Sequence, residues 1–293
     1  MKKLLSFTFI ALLSLGLVAC GSLTGAGSDN KEANPEEKKD WTVGEVIAQV
    51  EKKSQEEKGI SYDMNGNQMF TVKVNGDEEN IAMNYGMKMD YLNDPPSMHM
   101  KGTMKTEEQK LPVEMYLVDN TLYQKAGPEK WLKSKATGME AVQGAGQVQQ
   151  PSESVKQFQK VLDKLTGGKE AGPISMKEQS DGFLLKMDLK GEDMKKVMND
   201  LVKQMKASLE PQFQQSGLPI NSKDIKITHF SQSVLIDKKT FKQKKINQVT
   251  FMEILIKDKG SIEVEQTMQM KDAGKFEGTI TVPKEVKSKA EEM

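Results

Sequence analysis

Met83-Asn84-Tyr85-Gly86-Met87-Lys88-Met89-Asp90-Tyr91 alternates large apolar side chains with polar or small ones, and Met98-His99-Met100-Lys101-Gly102-Thr103-Met104-Lys105 repeats the pattern. A period of two sends one set of side chains to a buried face and the other to water. Asn93-Asp94-Pro95-Pro96 separates the two runs and has the composition of a turn. The expectation is an antiparallel pair with Met83, Tyr85, Met87, Met89, Met98, Met100 and Met104 on its buried side. His99 falls on the opposite, solvated side.

Working outward, a helix precedes this pair. Thr42 and Glu45 have the spacing of a capping box, and Val43, Val46, Ile47 and Val50 fall on one helical face. A less regular strand lies near Ile60–Met64. After the pair come shorter strands at Val113–Val118, Thr121–Gln124 and Lys130–Lys133, with Asp119-Asn120 as a tight turn. A helix over Ser152–Leu165 carries Val155, Phe158, Leu162 and Leu165. Strands near Ile174–Glu178 and Phe183–Leu189 lead to a second helix, Glu192–Leu209, whose apolar face holds Met194, Val197, Met198, Leu201, Val202, Met205 and Leu209. Strands near Ile225–Ile236, Ile246–Lys257, Ser261–Met270 and Phe276–Val282 close the chain. Lys257-Asp258-Lys259-Gly260 and Asp272-Ala273-Gly274 read as hairpin turns between the last three.

Strands, a helical interlude and more strands do not form a βαβ series. The pattern predicts an α+β fold: one large curved antiparallel sheet, an incomplete barrel, with helices packed on its concave face.

The first residues form a separate unit. Lys2 and Lys3 precede an apolar run from Leu4 to Val18, which ends in Leu17-Val18-Ala19-Cys20-Gly21. A charged start, a short apolar core and a small residue before the cut describe a secretory signal peptide over residues 1–19. Leu17-Val18-Ala19-Cys20 resembles the lipobox of bacterial lipoproteins. That resemblance implies cleavage between Ala19 and Cys20 and a diacylglyceryl group, with its palmitate-type chains, on the Cys20 sulfur. Two acyl chains give stable membrane residence where one does not. Residues 20–40 are rich in Gly, Ser, Asn, Lys and Glu and read as a disordered tether spanning roughly 25 Å. Residues 41–293 then form a single folded domain. The expected location is the cell membrane, lipid-anchored, on the extracytoplasmic face.

Composition restricts the chemistry. The 42 basic and 42 acidic residues give a formal net charge of zero, and every basic residue is lysine. Without a net field or a guanidinium fork, nucleic acid is not an expected partner. Cys20 is the only cysteine, so lipidation leaves no thiol for catalysis, disulfide or metal. His99 and His229 lie far apart, and no Walker, Rossmann, H-E-x-x-H or G-x-S-x-G pattern occurs. The chain reads as a non-enzyme without cofactor or metal. A carboxylate-pair hydrolase is the one enzyme reading left open, since such pairs meet in space. By alternation Ile227 and His229 share a face, which makes His229 partly buried. Trp41 and Trp131 read as packing residues, and Lys238–Lys245 as a solvated turn.

The order of elements over about residues 41–283 resembles the lipoprotein-carrier (LolA-like) fold, also seen in mycobacterial lipid-binding lipoproteins. The phrases Glu114-Met115-Tyr116-Leu117-Val118-Asp119-Asn120-Thr121-Leu122-Tyr123, Lys130-Trp131-Leu132-Lys133 and Ile236-Asp237-Lys238-Lys239-Thr240 look like those of a group of Gram-positive lipoproteins. The fold resemblance implies a half-barrel around helices with an apolar cavity. Methionine suits a surface that accepts varied apolar shapes. The expected function is therefore binding of a hydrophobic ligand such as a lipid. Met83, Tyr85, Met87, Met89, Met98, Met100 and Met104 would line the cavity from the sheet, and Met194, Met198, Leu201 and Met205 from the helix. The same residues equally describe a closed core. In that case the protein is a cell-envelope module that engages a protein or polymer through its outer surface.

Overall fold

A computed structural model describes residues 40–127, 129–135, 151–167, 172–197, 224–256 and 260–292. Helix α1 (Val43–Glu56) leads into a run of six strands. These are β1 (Gly59–Val74), β2 (Asp77–Asn93), β3 (Pro96–Lys105), β4 (Lys110–Val118), β5 (Thr121–Lys125) and β6 (Trp131–Lys135). Helix α2 (Pro151–Thr166) follows, then β7 (Ile174–Gln179), β8 (Gly182–Lys190) and a helical segment, α3, over 191–197. The rest comprises β9 (Ile225–Ile236), β10 (Gln243–Ile256), β11 (Gly260–Lys275), α4 (Lys284–Lys289) and β12 (Ala290–Glu292).

All twelve strands join one unclosed sheet in the order β12-β6-β5-β4-β3-β2-β1-β11-β10-β9-β8-β7. Every pairing is antiparallel except β12 with β6. The α+β class and the incomplete barrel expected from the sequence are what the chain adopts. A flat sheet of this width would stretch about 50 Å across its strands. Yet inward residues from β4 through β8 share one core with α1, α2 and α3, so the sheet curls around the helices.

Local chemistry explains how α1 is held. Thr42 Oγ1 accepts the Glu45 amide at 3.3 Å, and the Glu45 carboxylate accepts the Thr42 amide at 2.9 Å. This is the predicted capping box. At the other end the Asn93 side-chain amide donates to the carbonyls of Ser54 and Glu57, covering terminal acceptors that the helix itself leaves open. Trp41, just before the helix, packs on Phe241 and Phe183 at ring distances of 5.0 and 6.1 Å. Val43, Val46, Ile47 and Val50 are buried, as their spacing predicted.

Several expectations are corrected. β1 is a 16-residue strand rather than a short irregular one. It turns into β2 through Asn75-Gly76, both with positive φ, the backbone that a two-residue hairpin needs. The strand expected at Phe276–Val282 does not form. β11 runs on through Asp272-Ala273-Gly274 to Lys275, and residues 276–283 are irregular. They fold onto the outer face of the sheet. There Ile280, Val282, Val286 and Ala290 form a second core with Tyr116 and Trp131, and Leu92, Val118, Tyr123 and Phe276 pack around it.

Ile227 and His229 do not share a face. The register shifts between Phe251 and Met252, so His229 pairs with Phe251 and Ile227 with Met252. One extra residue in β9 flips the parity. Ile227 is buried inside, while the His229 ring stacks on Phe251 at 5.4 Å and bonds Asp188 at 2.7 Å on the outer face. His99 is on the outer side of β3 as expected, but half-buried there: it stacks on Tyr116 at 4.3 Å and meets Glu114 at 3.3 Å. The lysine-rich turn is fastened by ion pairs, Lys238 with Glu178 at 2.6 Å, Lys244 with Asp181 at 3.4 Å, and Lys242 with Glu57.

Candidate functional site

The residues singled out on β2 and β3 do come together. Met83, Tyr85, Met87, Met89, Met98, Met100 and Met104 are all buried on the inner face, from 0% exposed at Met89 to 7% at Tyr85. Register extends them into rows. Met89, Met100 and Met115 stand side by side across β2, β3 and β4, and Met270, Met64 and Met87 across β11, β1 and β2. Met194 of α3 is buried in the same core. Met198, Leu201, Met205, Ala19 and Cys20 lie outside the described residues. The methionines pack against their neighbours in one continuous core. Unbranched side chains of this kind fill irregular space readily.

Beside the methionines the same face carries a polar band that alternation alone did not single out. Gln68 of β1 stands opposite Gln266 of β11, and Gln266 opposite Thr250 of β10. Gln248 of β10 stands opposite Gln232 of β9. All five are buried to within 4% exposure. The signal was present in the sequence: Ile246, Gln248, Thr250 and Met252 keep the parity of buried residues, as do Phe230, Gln232 and Val234. Amides at such positions read as surface until register shows that they point inward.

Polar atoms of three of these amides lack a partner. The Gln248 amide donates to Thr250 Oγ1 at 3.4 Å. Its carbonyl oxygen, that of Gln266 and both polar atoms of Gln232 are buried without a hydrogen-bond partner. Each such group costs about 1–3 kcal/mol. Burial pushes the Tyr85 hydroxyl pKa above its ordinary 10.0, against a hydrogen bond from Gln266 that favours the ionised form. The tip of the Tyr85 ring sits over Gly66, where a Cβ would collide with its hydroxyl oxygen and Cζ and with the Thr267 carbonyl. Glycine is thus what lets the ring settle on the strand.

The outer face presents a different feature. An open cleft of about 490 Å³ is lined by the amides Asn65, Asn67, Asn84, Asn247 and Gln269, with Thr267 among them. These amides alternate with the inner residues of the same strands and stand on the sheet's polar side, while Gly66, Tyr85, Gln248 and Met268, of the inner parity, also border the cleft. The Gln269 amide donates to Asn247 at 3.1 Å, and Asn247 to Ser233 at 3.2 Å. Among the described residues no group of three or more His, Cys, Asp or Glu is placed to hold a metal ion. Nor is any described helix long and apolar enough to cross a membrane.

Residues 42–291 match a family of unknown function, DUF6612. The chain belongs to that family. No curated protein matches it. Among solved structures it is similar to the LolA superfamily protein NE2245 from Nitrosomonas europaea, at 8% identity over 84% of this chain and 97% of the other, with a TM-score of 0.21. A beta-barrel-like DUF1849 protein from Brucella abortus shares 10% identity over 73% and 98%, with a TM-score of 0.23. The ywiB protein from Bacillus subtilis shares 5% over 74% and 95%, with a TM-score of 0.21.

Proposed function

We propose that this DUF6612 chain is a membrane-anchored extracytoplasmic lipoprotein that binds a hydrophobic ligand, such as a lipid, between the inner face of its sheet and the helices. The observation that carries the reading is the composition of the inner face. Rows of methionines stand beside buried amides, and polar atoms of Gln232, Gln248 and Gln266 have no hydrogen-bond partner there. Methionines repack at low cost around a guest. Removing an apolar chain from water stabilises the complex by about 0.8 kcal/mol per methylene. No covalent step is required, and none is assigned.

The anchor rests on Cys20 and the apolar leader before it. Intact-mass analysis of the native product tests it directly. A chain starting at Cys20 with added diacylglyceryl mass is the expected result; a bare thiol or a retained leader defeats it. Native mass spectrometry and organic extraction of the purified protein test the ligand. An apolar molecule held at about one per chain is expected. A protein that neither carries one nor takes one up defeats the reading.

The second reading is a closed-core interaction module of the cell envelope. The tight burial of the inner methionines favours it. In that case the amide-lined outer cleft is where a polymer or protein engages, and extraction returns no ligand.

A further inference from the structure

The buried glutamines say which apolar molecule the inner face selects, an inference that rests on the hydrophobic-ligand reading above. A face meant for hydrocarbon alone gains nothing from carboxamides, because each one loses its hydration and receives no partner in exchange. Here the open positions are specific. The Gln248 amide hydrogens are directed to Thr250, and Gln266 is bonded to the Tyr85 hydroxyl, which leaves the two carbonyl oxygens as acceptors. Gln232 keeps both its oxygen and its nitrogen open. The band therefore calls mainly for hydrogen-bond donors. It is also neutral: the buried polar residues among those described are Ser, Thr and Gln, with no lysine to meet a phosphate or carboxylate.

We propose that the inner face binds a neutral lipid bearing hydroxyl groups, of the acylglycerol kind. Its acyl chain lies along the methionine rows of β1–β4, and its two hydroxyls donate to the carboxamide oxygens of Gln232 and Gln248, which stand opposite each other across β9 and β10. The register places the two halves side by side, since Gln68, at the edge of the band, is paired with Met83 as well as with Gln266. A phospholipid headgroup would bring an unpaired anion into this face. A simple ester would leave the acceptors as they are.

The test offers two labelled probes with the same acyl chain, monoolein and methyl oleate, to the full chain carrying Cys20→Ser so that no attached lipid competes. Bound lipid is counted after gel filtration. Monoolein is expected to bind at least about tenfold more tightly, because a site with open polar groups rejects the analogue that cannot pair with them. In the Gln232→Met/Gln248→Met variant the ratio falls to about one while methyl oleate binding is retained. Equal binding of the two probes by the otherwise unaltered chain overturns the inference and leaves the hydrophobic-ligand reading standing. So does a preference that survives the double substitution. Failure to bind either probe overturns both.

Discussion

The two cores of this protein, one on each face of the sheet, solve different problems. The outer one is small and aromatic. Tyr116, Trp131, Ile280, Val282, Val286 and Ala290 seal the chain's end against β4–β6, and the polar groups nearby are engaged. The Tyr116 hydroxyl donates to Glu114 at 2.9 Å, His99 meets the same carboxylate, and Lys130 and Lys133 pair with Glu291 and Glu292. The inner core is large and rich in methionine, and beside it polar atoms of Gln232, Gln248 and Gln266 are buried without a partner. The outer core uses rigid rings and closed hydrogen bonds, and the inner one uses flexible side chains; on the proposed function, its open polar groups are there for a ligand to meet.

This contrast can be broken at either core. The largest effect is expected for Trp131→Ala. Removing that ring from a well-packed outer cluster should cost about 3–5 kcal/mol of stability. Urea unfolding reads the loss, and hydrogen exchange over residues 276–292 should rise together with it. Protection there that survives the substitution would mean the tail is held by β12 pairing alone.

On the inner face the sign should reverse. Gln232→Met replaces a buried, unpartnered amide with an apolar side chain of similar length. The ligand-free protein should gain up to about 2 kcal/mol, seen as a higher Tm, since replacing such a group by an apolar one is neutral or favourable. A clear loss of stability would place Gln232 in a satisfied polar core and erase the difference between the two faces.

The smallest effect sharpens the outer core. Burial alone would raise the Glu114 pKa, but hydrogen bonds from Tyr116 and His99, with Lys101 nearby, outweigh it and hold the carboxylate below its ordinary 4.5. A depressed folded-state pKa contributes stability above the unfolded value, and that contribution is lost as the pH falls through the folded one. Tyr116→Phe should therefore cost about 1 kcal/mol at neutral pH. It should also flatten the acid limb of the stability curve below pH 4.5. A curve of unchanged shape would show that the tyrosine contributes packing only. Burial first, and then Glu114, push the Tyr116 hydroxyl itself up to about 12, so it stays protonated throughout this range.

Much of the fold was legible because the relevant signals are local. Thr42 and Glu45 announce their helix through a contact that spans three residues. β9 keeps its predicted limits, and β2 and β3 enclose the runs that first suggested them. In β9 the reading failed through a single residue. The extra residue near Thr228 inverts the parity of everything after it in β9, so Ile227 and His229 part company. The end of the chain misled for another reason: 276–282 has a strand-like composition, yet it joins no strand and packs Phe276, Ile280 and Val282 on the sheet's back instead.

The sequence by itself determined that a broad antiparallel sheet would form and which parity of β2 and β3 would be buried, because side-chain alternation is a property of the backbone alone. Only the tertiary structure decided that Gln266, Gln248 and Gln232 adjoin across neighbouring strands. It also decided that Tyr116 and Trp131 face the chain's own C-terminal segment. Those juxtapositions depend on register between strands far apart in sequence, which no local pattern encodes.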